Sequence, residues 1–180
     1  MPQRVQSPIL PLPHIVPKFL EGLLDGWTYC ILYNHFQLTA AKACLDNDTL
    51  FSRELMAMAR ELSSALLMAS LLAMSSIHNA VANSNPPWSF DVLESFAVRE
   101  LRAALYIPRT TCSDIALASA LTLSACGAIT GSSKEQRMHL SGAEMIINMR
   151  GQHPDAFQPT QNTLLLLKYY KAKAVLLGSV

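Results

Sequence analysis

Five histidines (His14, His35, His78, His139 and His153) and four cysteines (Cys30, Cys44, Cys112 and Cys126) are the side chains here best suited to bind a metal or to act as nucleophile and base. Their spacing favours neither. No two histidines stand three or four residues apart, no cysteines form a C-x2-C pair, and no carboxylate completes a cluster at ligand spacing. A G-x-S-x-G elbow, a Gly-rich phosphate loop and an H-E-x-x-H helix are also missing from the sequence. Carboxylates pair at Glu21 with Asp25 and at Asp46 with Asp48, in polar surroundings where solvation rather than acid–base work is expected. The sequence therefore nominates no catalytic residue, no metal ligand and no cofactor. His139, with Glu135 one turn earlier, is expected to be a buried, hydrogen-bonded histidine, and His35 likewise. The cysteines read as reduced core residues of an intracellular protein.

His139 belongs to the best-punctuated stretch of the chain, Gln136 to Gly151. Gly131 closes the preceding element, and Ser132 to Glu135 offers a capping box with Ser132 as N-cap and Glu135 reaching back. Gly151 stands where a left-handed residue would end the helix, and Pro154 blocks its continuation. Helical periodicity gathers Arg137, Ser141, Glu144 and Asn148 into one narrow polar stripe. Leu140, Ala143, Ile146 and Ile147 lie on one side of it, and Met138, Met145 and Met149 on the other. So narrow a polar stripe predicts a helix buried between other helices. Gly142 costs about 1 kcal/mol relative to alanine inside a helix, which predicts a neighbouring backbone packed closely against it.

This stretch resembles the H-L-x-G-A…R-G signature in the regulatory domain of fungal zinc-cluster transcription factors; His139, Leu140, Gly142, Ala143, Arg150 and Gly151 match it position by position. Further matches follow in the family's order. Leu32 to Phe36 resembles its opening L-x-x-H-[FY] helix, and Ser64 to Asn79 its alanine-rich apolar helix. Phe96 to Leu105 resembles its L-R-x-A-L helix, and Ile115 to Gly131 the apolar helix before the signature. Two departures stand out: Gln136 replaces the aromatic residue usual before Arg137, and Cys126-Gly127-Ala128 replaces a common Tyr-Glu pair. The resemblance implies an all-α, non-enzymatic, nuclear module that relays activating, repressing or small-molecule signals to a zinc cluster, often at metabolic or secondary-metabolite genes. It also implies that the domain continues well beyond these residues. The chain is then expected to be an N-terminal part, truncated or completed by a partner, with self-association or protein partners and a small-molecule effector in prospect. The six signature residues are expected to be structural.

Composition sets the outer limits. A chain of 180 residues holds one domain with a real core. Apolar residues make up 51% and charged residues only 15%, which excludes disorder and calls for helices buried on most sides. The net charge of +1 gives no electrostatic footprint for nucleic acid, and a binuclear zinc cluster needs six closely spaced thiolates where only four scattered ones exist. No direct nucleic-acid binding is expected. Lys168, Lys171 and Lys173 read as a snorkelling helix face.

The elements divide at turn residues. Residues 1–17, with five prolines, read as a flexible lead-in, and 18–180 as the helical domain. A helix is predicted from about Lys18 to Leu45 with a kink at Gly26, a turn at Asp46 to Thr49, and a helix from Phe51 to Glu61. Ser63-Ser64 starts another that reaches Asn83, before a loop through Pro86-Pro87. Asp91 with Glu94 suggests a capping box for a helix ending before Pro108, and Ser113 or Asp114 caps the next, to Thr130. The signature helix follows, then a last helix from about Asn162 to Leu177. No window alternates with period two, so the fold class is all-α, an irregular bundle of about seven helices.

A rival reading, from a different class, is a small helical membrane-associated protein. Leu62 to Ala82 and Ile115 to Ser133 each run about 20 residues without charge. Both are rich in serine, alanine or other small residues and lack flanking Lys/Arg asymmetry, so buried helices of a bundle, and no membrane span, are expected.

Overall fold

The computed structural model describes residues 16–40, 49–62, 64–84, 89–107, 113–152 and 159–176. Among them the chain forms seven α-helices and no sheet. The helices are α1 (Gly26–His35), α2 (Thr49–Glu61), α3 (Ala65–Asn83), α4 (Phe90–Leu105), α5 (Asp114–Thr130), α6 (Ser133–Gln152) and α7 (Gln161–Leu176). The all-α expectation holds. The lead-in before Val16, the turn at Asp46–Asp48 with the second carboxylate pair, Cys44 and Cys112 lie outside the described residues.

Local chemistry accounts for most of the boundaries. Ser64 caps α3 by accepting from the Leu67 amide at 3.1 Å, and Ser113 caps α5 by accepting from Ala116 at 3.2 Å. The expected long helix from Lys18 is not formed. Instead a 3-10 turn at Lys18–Leu20 is followed by Gly22, whose φ of 86° is left-handed, and Asp25 starts α1 afresh. The two Asp25 oxygens accept from the Thr28 amide and hydroxyl, each at 2.8 Å, which is an N-cap and not the interior of a kinked helix. At its far end α1 widens into a π-helical turn, Phe36–Ala40. The predicted capping box at Asp91 is also absent: α4 starts two residues earlier, with Ser89 in the cap position and Asp91 in the first turn, where its charge suits the helix dipole.

Two apolar helices, α3 and α5, form the centre. α3 packs against α1, α2, α4 and α5, while α5 also touches α4, α6 and α7. Alanines and serines let the helices approach, and buried hydroxyls are mostly satisfied without water. Ser70 donates to the Leu66 carbonyl at 2.9 Å and Thr122 to Ala118 at 2.8 Å, each within its own helix. Ser75 donates across to the Leu32 carbonyl on α1 at 2.6 Å. This centrality explains the membrane-like hydropathy. α3 is long and apolar enough to cross a bilayer, yet 72% of its most apolar window is buried against the other helices. Cys126 lies in the core and Cys30 packs partly buried beside it.

The signature helix corrects an expectation. α6 is covered on one side only, where His139, Leu140, Ala143 and Ile146 are buried. Its methionine flank faces outward: Met138 is 56% exposed and Met145 63%. Periodicity separated the two apolar flanks correctly but could not say that only one of them meets a partner. The last helix behaves similarly, with Leu164, Val175 and Leu176 all largely exposed.

Candidate functional site

The residues singled out by motif converge on the contact between α5 and α6. α5 ends in a left-handed Gly131, with φ of 75°, whose amide bonds the Ala128 carbonyl while the Ser132 amide reaches Gly127 at 2.9 Å. This pair of bonds is a Schellman closure, and it turns the chain straight into α6. It also modifies the expected capping box. Ser132 Oγ accepts from the Glu135 amide at 3.4 Å, but the Ser132 amide is taken by Gly127, leaving nothing for the Glu135 carboxylate to receive.

The close backbone approach belongs to a different glycine from the one predicted. A methyl group on Gly127 would lie 2.6 Å from the Gln136 nitrogen, inside any real contact distance. One turn earlier, Ser124 donates to the Gln136 carbonyl at 3.0 Å. Gly142, by contrast, would carry a methyl group into open space, and no neighbour presses on it. Gly151 is likewise not the expected left-handed stop: it is helical, and α6 runs on through Gln152. The readable signal for the true contact was the small-residue series Ala120, Ser124 and Gly127 at helical spacing in α5.

Of the six signature residues, His139, Leu140 and Ala143 are buried on the inner face of α6, and Arg150 extends that face to the last turn. Gly142 and Gly151 lie off it. Arg150 Nη1 donates to Asp114 Oδ1 at 2.9 Å, with the two side chains only 10% and 20% exposed. Asp114 is the first residue of α5, so a cation at a helix C-terminus meets an anion at a helix N-terminus, as both dipoles favour. The same carboxylate accepts from the Thr160 and Thr163 hydroxyls, each at 2.9 Å. Thr160 and Thr163 also cap α7 reciprocally: the Thr163 amide donates to Thr160 Oγ1 at 3.1 Å and the Thr160 amide to Thr163 Oγ1 at 3.2 Å. Three helix ends thus meet on one carboxylate. This capping pair was not foreseen, since the last helix was expected from about Asn162, and nothing local links Thr160 or Thr163 to Asp114.

His139 is buried as expected, yet no hydrogen bond reaches its ring among the described residues. Burial pushes its pKa down, opposed by the Glu135 charge one turn away. His35 meets an unforeseen partner, His78 on α3, with Nε2 and Nδ1 2.9 Å apart. One ring must donate and the other accept, so at least one is neutral. Burial and the neighbouring His78 together lower the His35 pKa. The pair lies beside the Ser75–Leu32 bond, while Asn34 Oδ1 is buried without a hydrogen-bond partner among the described residues. No group of three or more metal-ligating side chains gathers here or elsewhere among the described residues. The arrangement at α5–α6 is that of a structural clasp: a charged tie, a capped junction and a tight helical turn.

Comparison of the chain with family models, with curated proteins and with solved structures finds no match.

Proposed function

We propose that this chain is the opening part of a regulatory domain of the kind found in fungal zinc-cluster transcription factors. In this reading it is a non-enzymatic, nuclear, all-helical module that relays a signal from a protein partner or small molecule to a DNA-reading unit, in the control of metabolic or secondary-metabolite genes. The observation that carries the reading is the shared inner face of His139, Leu140, Ala143 and Arg150, which supports a structural role for most of the signature. A module of this sort works by packing: a ligand or partner that favours one arrangement of the helix ends shifts what the rest of the molecule presents.

The test is to tether the chain to a heterologous DNA-binding domain upstream of a reporter gene in a fungal cell. A several-fold rise or fall in reporter output is expected, reduced when Arg150→Ala loosens the α5–α6–α7 junction. A fusion present in the nucleus at normal levels that moves the reporter in neither direction would overturn the reading.

A further inference from the structure

Arg53 and Arg60 of α2 open onto a cavity of about 350 Å³ beside the π-helical turn. Seven residues apart, they project from the same flank of the helix, about 10 Å from each other along its axis. Met56 and Ala57 lie between them, and Ser52 of the same helix with Phe36 and Gln37 of the π-helical turn completes the lining. Phe36 is wholly buried and Met56 nearly so, and the buried Ser52 lies with them, which makes the floor largely apolar with one hydroxyl in it. The two arginines themselves are exposed. Ion pairs among the described residues are confined to Arg99 with Glu100 and Arg150 with Asp114, so no described carboxylate neutralises either guanidinium. The volume falls within the range of small-molecule sites, and π-helical turns are frequent at functional sites.

We propose that this cavity binds a small dianion with an apolar middle, of the α,ω-dicarboxylate class. An arginine at each end of an apolar trough selects for an anionic group at each end of an apolar body. Each guanidinium fork donates to two oxygens of a carboxylate side by side, and Gln37 supplies a carboxamide beside them. A monoanion of the same length leaves one fork idle, and a compact anion such as phosphate leaves the apolar floor uncovered. Salt weakens the complex because both cations are at the surface. As the source of a small-molecule signal the site rests on the regulatory reading above, whereas binding itself is measured without it.

The experiment is calorimetric titration of the full chain with suberate, with octanoate and inorganic phosphate as comparison ligands. Saturable one-to-one binding of suberate is expected, at least about tenfold tighter than either comparison ligand, since each charge-assisted contact contributes about that factor. Arg53→Gln and Arg60→Gln should each weaken suberate about tenfold or more, while Arg137→Gln on α6 leaves it unchanged. Helical circular dichroism establishes that each variant is folded. Absence of saturable suberate binding, undiminished binding in both α2 variants, or equal affinity for phosphate would each overturn the proposal. A silent tethering assay alongside intact suberate binding would remove the regulatory reading and leave the site standing; the reverse result would do the opposite.

Discussion

Arg150 and Asp114 form an ion pair 2.9 Å long that joins the last turn of α6 to the first residue of α5. Because both side chains are largely withdrawn from water, removing one partner strands the other's charge in a poorly solvated place. The guanidinium is already short of partners, since its Nε and Nη2 are buried without hydrogen bonds among the described residues. The pair therefore matters more for where it ties the helices than for its net energy.

Asp114→Ala is expected to lower stability by about 2–4 kcal/mol, because it deprives Arg150, Thr160 and Thr163 of a common acceptor. Arg150→Met should cost less, as it removes an under-satisfied cation and keeps the packing volume. Urea unfolding of the two single variants and the double variant measures the coupling. Strict additivity would show that the contact carries no energy.

The two helical glycines should respond oppositely to alanine. Gly127→Ala forces a methyl group into the Gln136 backbone and is expected to cost about 1–3 kcal/mol. Gly142→Ala enters open space in a helix interior and is expected to stabilise by up to about 1 kcal/mol. Thermal melts of the pair decide it: destabilisation by Gly142→Ala, or tolerance of Gly127→Ala, would refute the placement of α6 on α5.

These glycines mark how far the sequence was legible. Helix number, and the starts of α3 and α5, could be read because Ser64 and Ser113 act on amides three residues away. Asp25 was missed as a cap because Gly26 looked like a kink within one helical pattern running from Lys18 to Leu45. Gly142 and Gly127 are alike in sequence, and only the helix partner distinguishes them. The same holds for the site: Arg150 was singled out, but Asp114 meets it, and Thr160 meets Asp114, only through the fold. His35 and His78, 43 residues apart, could not be paired by spacing.

Acidification should destabilise the fold through its histidines. The folded-state pKa values of His35 and His139 lie below the ordinary value of 6.5, so the unfolded chain binds protons first. The stability contributed by their neutral forms is fully present above pH 6.5 and is lost progressively as the pH falls through 6.5 toward the lower folded values. Urea midpoints between pH 7.5 and 5 should fall in the parent chain and fall less in His139→Gln. A flat profile would contradict the burial of these rings.

The uncovered apolar flanks should make the chain associate. Met138 and Met145 on α6, with Leu164, Val175 and Leu176 on α7, are expected to bind the dye ANS and to promote self-association at micromolar concentration. Lysine at positions 138 and 145 should reduce both signals while shifting stability by no more than about 0.5 kcal/mol. Light scattering and dye titration check this together; a dye-silent, monodisperse parent chain would count against it.

The Schellman turn at Gly131 also bears on the order in which the chain assembles. It closes α5 onto α6 through residues that are near neighbours in sequence, at little loss of loop entropy. The Asp114 clasp, in contrast, joins residues 46 and 49 positions apart when it reaches Thr160 and Thr163. Contacts of short range form sooner than those that close long loops, so the α5–α6 hairpin is placed to nucleate and the α7 junction to lock last. Substitutions at Gly127 would then slow folding, and substitutions at Thr163 would chiefly hasten unfolding.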